Sequence, residues 1–236
     1  VGAARALASL LSQTEPLDEV VVSVNGCTDA TSDEVQRTLS DRGFAPGATE
    51  PFEPFDASVR RWHHTADATR VIVVEHHQRT SKAESVNIAA LSKLVTSRRI
   101  LVVDGDTVLA PRFAAAMRDS FYRLKVVRER SKPGGGLTRR YVVEDLALQS
   151  GSVRSQRPGR FGLAAWWIWL ARTGEYAVSS VLRAGQTRRI GRDGPFARSR
   201  LFTVVGCGFV ARRDEFPMPS DTRTEDHDFT LQVQNQ

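Results

Sequence analysis

Three short β-branched runs, each followed by a helix-forming stretch, constrain this chain more than any other feature. EVVVSV (Glu19 to Val24), VIVVEH (Val71 to His76) and RILVVDGD (Arg99 to Asp106) read as buried parallel strands. Helical apolar spacing covers Ala3 to Leu11. Thr31 can cap a helix, with Glu34 completing a capping box, and Ser81 with Glu84 predicts a second box and a helix through about Leu94. Pro111 suits the first turn of a helix carrying PRFAAAMRDSFYRL. Strands alternating with helices imply right-handed crossovers and a parallel sheet. In such sheets ligands bind beyond the carboxyl ends of the strands. NGCTD (25–29) and DGD (104–106) both follow strands, so both fall on one rim.

The remainder is less regular. Residues 42–68 are rich in Pro, Gly and Phe and read as irregular. Beyond Ser131, KPGGG reads as a loop, YVVEDLALQ as a strand and RSQRPGR as a basic connection. Phe161 to Leu182 looks helical and carries Trp166, Trp167 and Trp169. LFTVVGCGFVARR (Leu201 to Arg213) suggests a strand pair around glycines, and TEDHDFTLQVQ opens a helix at an acidic cluster.

A chain of 236 residues can bury a core as one large α/β domain or two small ones. Its net charge of +6 attracts anions, and nucleotide diphosphates, phospholipid headgroups and nucleic acid all qualify. Only four of the 33 basic residues are lysine, a skew read here as genomic base composition rather than phosphate recognition. Cys27 and Cys207 lie far apart without metal-ligand spacing, so a reduced, cytoplasmic-facing protein is expected. No signal peptide opens the chain, and its first and last residues read like those of an excerpt. Phe161 to Ala171 is strongly apolar yet shorter than the ~20 residues of a membrane span.

Chemistry concentrates at the strand ends. Asp104 and Asp106 close an apolar strand, where two carboxylates are costly without a neutralising charge. A hard divalent cation with open positions for phosphate oxygens provides it; the plainer reading is a solvated Asp-Gly-Asp turn. Glu225 and Asp226, with Asp228 behind, either cap a helix with Thr224 or supply a general base for an acceptor hydroxyl. Asn25, Gly26, Thr28 and Asp29 make a tight turn able to hold a base or ribose, or simply cap the next helix. Lys82 and Asn87, early in a helix, are a nucleotide contact or solvent-facing side chains. His63-His64 and His76-His77 have no helical-spaced carboxylate and are assigned structural or surface roles. The Trp-rich segment is either a core or lid helix, or an interfacial helix resting on a membrane.

Taken in order, VVVSVNGCTDAT, SKAESVNIAAL, ILVVDGDTVLAP, VVGCGFVARRDEF and TEDHDF resemble glycosyltransferase family 2, of the GT-A fold group. The resemblance runs along nearly the whole chain and is least at 42–68 and 131–195. It implies a three-layer α/β sandwich with a mostly parallel central sheet. It also implies one catalytic domain, truncated at both ends, with a nucleotide-sugar half at 1–130 and an acceptor half at 131–236. Asp106 would ligate Mn2+ or Mg2+ on the nucleotide diphosphate, and Asp104 would lie near the ribose. Asp226 would be the base with Glu225 its neighbour; Asn25, Asp29, Lys82 and Asn87 would bind donor. Gly206 and Gly208 would line the acceptor side.

The activity implied is inverting hexosyl or N-acetylhexosaminyl transfer in polysaccharide biosynthesis. The donor would be a nucleoside-diphosphate sugar, UDP-sugars being favoured, and the acceptor a glycan or lipid-linked hydroxyl. A place in the cytoplasm or on the cytoplasmic face of the membrane goes with it, with membrane contact as a further implied partner. Val24 stands where the family often has an Asp that contacts the base, and the family's first strand would precede Val1.

The alternative from another class is a non-catalytic nucleotide-sugar or anion-binding domain of a larger membrane protein. A nucleic-acid binder is disfavoured, because the arginines are scattered rather than clustered with aromatics on one groove-facing element, and the acidic DGD and TED sites would repel phosphate without a metal. A hydrolase with paired carboxylates is a further option, since sequence does not give their separation.

Overall fold

A computed structural model describes residues 2–66, 68–92, 94–119, 121–130, 137–145, 148–150, 166–171, 173–174, 208–222 and 225–235. In chain order they form α1 (Gly2–Leu10), β1 (Glu19–Asn25), α2 (Thr31–Asp41), β2 (Phe44–Pro51), β3 (Ala57–His64) and β4 (Arg70–His76). Then come α3 (Lys82–Leu91), β5 (Arg99–Val103), α4 (Phe113–Asp119), β6 (Tyr122–Arg130), β7 (Leu137–Asp145) and β8 (Leu148–Ser150). β9 (Gly208–Arg212), a 3-10 turn (Arg213–Glu215) and α5 (Glu225–Asn235) complete the set. Among the described residues no helix is long and apolar enough to cross a membrane.

The architecture is mixed α/β. Four strands form one sheet in the order β1-β4-β3-β2, three form another in the order β5-β9-β8, and β6 pairs with β7. β1 and β4 are parallel, Glu19 opposite Arg70 through Asn25 opposite His76. Every other described pair is antiparallel. The mostly parallel sheet expected from sequence is therefore represented by a single parallel pair, because β5 takes β9 rather than β1 as its partner.

β4 shows why the apolar runs become strands. Val71 and Val73 turn to a core with Leu7, Val20, Val24, Val35, Leu39, Phe44 and Trp62, beneath α1 and α2. Ile72 and Val74 turn the other way, onto Ala57, Val59 and Leu94. Successive side chains of a strand alternate faces, so a strand covered on both sides is apolar throughout. Burying each such valine contributes about 1.5–3 kcal/mol. A separate core joins α3 and α5 to the second sheet through Ala83, Val102, Phe209, Phe216, Met218 and Phe229.

Four local expectations are corrected. Residues 42–68 hold the β2–β3 hairpin rather than irregular chain. Pro46 and Gly47 fall at a register shift, and β2 is an edge strand, where proline removes no ladder hydrogen bond that the sheet needs. The helix after Pro111 stops at Asp119, and Tyr122–Arg130 is strand, its β-branched and charged alternation overriding the helical reading. The Thr31–Glu34 capping box does not form, since Thr31 is already inside α2 and the Asp29 carboxylate accepts its amide at 3.0 Å. The Ser81 cap does form, its hydroxyl accepting from the Glu84 amide at 3.0 Å. α3 then ends at Leu91, short of the expected Leu94. The KPGGG and RSQRPGR segments, and Leu201 to Cys207 of the expected strand pair, lie outside the described residues. The Phe161–Leu182 helix is described only at 166–171 and 173–174, both helical.

Glu19 links the two sheets. Its side chain is only 3% exposed, and its carboxylate accepts from the amides of Thr96 and Ser97 and from both hydroxyls while pairing with Arg70. Burial pushes this carboxyl up, but the hydrogen bonds from Thr96 and Ser97 outweigh that and hold it below its ordinary value. Glu19→Ala is expected to lower unfolding free energy by about 1–2 kcal/mol in urea titration, since it removes the hydrogen bonds from half-buried Ser97 and from Thr96. Arg70→Ala, removing the 60%-exposed partner, should cost less than about 1 kcal/mol.

Candidate functional site

The carboxyl ends of β1 and β4 coincide because their register is unbroken to Asn25 and His76. The following loops therefore meet, and the Asn25 amide joins them. Its oxygen accepts from the Thr80 amide at 2.8 Å and the Thr80 hydroxyl at 3.1 Å, while its nitrogen donates to the Thr80 carbonyl at 2.8 Å. Gly26 follows at φ +55°, and a β-carbon there would lie 2.6 Å from the Arg79 amide nitrogen. Only glycine fits so close a passage with that backbone.

The third loop joins through α3. Lys82, the first residue of that helix, pairs with Asp104 at 2.7 Å, each side chain 34% exposed. Asp104 begins the turn after β5 that its carbonyl closes by accepting from Thr107 N at 3.0 Å. Asp106 is exposed at that turn and makes no hydrogen bond or ion pair among the described residues. The start of α1 lies against it, a β-carbon on Gly2 falling 3.4 Å from Asp106 Cβ. Asn25, Lys82, Asp104 and Asp106 thus occupy one continuous rim.

Gly208 belongs to the same rim, pairing with Val103 immediately before Asp104. Phe229 of α5 packs on Phe209 at 5.8 Å between ring centroids, and Gln232, one turn later, donates to the carbonyls of Glu215 and Pro217 beyond the far end of β9. Phe229 also meets Phe216 at 5.2 Å, so α5, whose first turn includes Glu225 and Asp226, packs on both β9 and the segment that follows it. The side chains of Glu225 and Asp226, and Gly206 entirely, lie outside the described residues.

The other expected contacts are already engaged. Asn87 donates to the Met218 carbonyl at 2.8 Å and accepts from the Met218 amide at 2.6 Å, so its amide holds the 216–220 segment to α3. Asp29 is exposed, its carboxyl held below the usual range by the Thr31 hydroxyl and amide. Val24 is buried in the core beneath α2 and offers nothing to a nucleobase. His64 rests against Phe44 at 4.9 Å, and His77 meets Asp56 at 2.9 Å.

Sequence reasoning passed over a hydroxyl–imidazole chain behind the rim. The Ser23 hydroxyl bridges His76 Nε2, 3.0 Å away, and the Ser85 hydroxyl of α3. Strand alternation could have paired Ser23 with His76 only once the β1–β4 register was known. Thr80 was equally silent, being a residue without a motif of its own.

The donor set suits a hard cation held jointly with a ligand. Magnesium commonly takes one or two protein carboxylates plus phosphate oxygens and water, and Asp106 offers an exposed carboxylate at a loop open to solvent. Among the described residues there is no group of three or more His, Cys, Asp or Glu that would cage an ion by itself.

Two outcomes test this geometry. Gly26→Ala should destabilise by about 1–3 kcal/mol in thermal unfolding, through backbone strain and the Arg79 contact. Burial pushes His76 below its ordinary value of 6.5, with Glu84 opposing and His77 adding to the shift. The unfolded chain thus takes up this proton first. The stability from keeping the ring neutral is complete above about 6.5 and is lost as pH falls toward the lower folded value. The thermal midpoint should drop more between pH 7.5 and 5.5 in the wild type than in His76→Gln. Compared with known proteins, the chain matches no family model and no curated protein.

Proposed function

We propose that this chain is the catalytic domain of an inverting, nucleotide-sugar-dependent glycosyltransferase. The observation that carries the reading is the rim in which Asn25–Thr80 and Lys82–Asp104 draw three strand-end loops together beside the exposed Asp106. Acidic and basic groups converging at strand carboxyl ends suit a ligand that is itself both anionic and cation-bound.

The architecture that goes with this reading is the GT-A three-layer sandwich with a mostly parallel central sheet. β1 and β5 are terminal strands of their sheets. Glu19 of β1 bonds Thr96 and Ser97 just before β5, and Lys82 of α3 pairs with Asp104 just after it.

Donor would bind with its diphosphate against the Asp104–Asp106 loop and the first turn of α3. There Lys82 exchanges its Asp104 partner for phosphate oxygens. Mn2+ or Mg2+, held by Asp106, would supply charge neutralisation for the leaving nucleoside diphosphate. Asp226, in the first turn of α5, takes the proton of the acceptor hydroxyl. The freed oxygen attacks the anomeric carbon opposite the breaking bond to diphosphate, so configuration inverts. The rigid loop around Asn25 and Asp29 forms the floor for the nucleoside. Gly208 leaves room on the acceptor side, where among the described residues a β-carbon would meet only the Phe113 ring, at 3.8 Å, and the reading assigns Gly206 to the same side.

A panel of nucleoside-diphosphate sugars, with UDP-sugars first, tests this with and without Mn2+ or Mg2+. Asp226→Asn should keep donor affinity within about threefold and lose turnover by about 100-fold or more. Asp106→Ala should weaken metal-dependent donor binding by about tenfold. Binding without turnover in the unaltered protein would favour a non-catalytic nucleotide-sugar domain, and no donor binding with either metal sinks both readings.

A further inference from the structure

The chain's charge is unevenly placed. Of 33 basic and 27 acidic residues, ten arginines and two acids (Glu175 and Asp193) fall within 151–200, leaving 23 and 25 elsewhere. The entire positive excess therefore belongs to this stretch. At its centre the helical segment 166–171 exposes Trp167 by 71%, Ile168 by 58% and Leu170 by 51%. At about 100° per residue, Leu170, Trp167, Ala171 and Ile168 lie side by side over roughly 160° of helix surface. Trp166 and Trp169 occupy the opposite side, their rings edge to face at 5.3 Å. The exposed face carries no charged residue, while Arg160 and Arg172 flank it in sequence.

We propose that this face docks on an anionic phospholipid surface, with Trp167, Ile168 and Leu170 entering the headgroup boundary and the flanking arginines meeting lipid phosphates. Large apolar side chains left in water as one patch mark an interaction surface. A tryptophan beside aliphatic residues, in a stretch of sequence with ten arginines and two acids, has the composition of an interfacial element. RNA is the less suitable partner. Isoleucine and leucine offer bases neither a stacking plane nor a hydrogen bond, and in sequence no arginine falls between Trp166 and Trp169. The proposal is independent of the transferase reading, since it concerns a surface rather than the rim chemistry.

Co-sedimentation of the full chain with phosphatidylcholine vesicles, with and without about 30% phosphatidylglycerol, tests it. Expected is binding at least about tenfold stronger to the anionic vesicles, weakening as salt rises. The triple substitution Trp167→Ser, Ile168→Ser, Leu170→Ser should reduce that binding by about tenfold or more. Arg154→Gln with Arg157→Gln and Arg160→Gln should weaken it and flatten its salt dependence. If the triple variant does not fold, tryptophan quenching by brominated lipid replaces it, and Trp167→Phe should remove a large part of the quenching. Equal binding to neutral and anionic vesicles, wild-type binding by the folded triple variant, or quenching unchanged in Trp167→Phe each overturns the proposal. So does capture by poly(U) RNA without vesicle binding, which would reassign the surface to nucleic acid.

Discussion

The rest of the structure depends on the parallel pairing of β1 with β4. Parallel strands are held by a slanted ladder and need cover on both faces. Here α1 and α2 close one face, and α3 with Leu94 lies on the other. Because register runs unbroken from Glu19 to Asn25, both ends of the pair become points of attachment. At the leading end Glu19 reaches the segment entering β5, and at the trailing end Asn25 reaches Thr80. A slip of one residue would turn Val20 and Val24 out of the core and take Asn25 away from Thr80.

That dependence explains what could be read in advance. β1, β4 and β5 were legible because burial on both faces leaves a continuous apolar signature. α3 was legible from Ser81, whose cap is local chemistry. The β2–β3 hairpin was hidden because an edge strand tolerates Pro46, Gly47 and Pro51, the residues that usually announce a loop. Pairing of β5 with β9 joins residues more than 100 positions apart, and nothing local to either strand specifies it. The rim was legible as residue types, but the roles were only partly so. Sequence marks Asn25 and Asn87 as polar groups near a site; their partners, Thr80 and Met218, arrive from distant segments.

Polar groups at the rim and along α3 behind it divide into those already satisfied and those left open. Asn25 and Asn87 mimic a peptide unit, each giving and accepting with one backbone residue, and so set shape. Lys82 and Asp104 neutralise each other at one-third exposure, a pair weak enough in water to be exchanged when a stronger anion arrives. Asp106 stands exposed at the end of this series. A rigid frame bearing one exchangeable pair and one open carboxylate is the arrangement that binding a metal–phosphate unit calls for.

The frame also carries a chemical clock. Asn25 precedes Gly26, and an asparagine before glycine is the dipeptide whose side chain most readily cyclises onto the next amide nitrogen, since no β-carbon obstructs it. In the folded chain Thr80 holds the side-chain amide by both its oxygen and its nitrogen, which keeps it from that attack. Ageing at this position is thus restrained by the fold itself. Once the loop opens and the amide hydrolyses, a carboxylate faces the Thr80 carbonyl, acceptor against acceptor, and the junction that joins the first two rim loops cannot re-form as before.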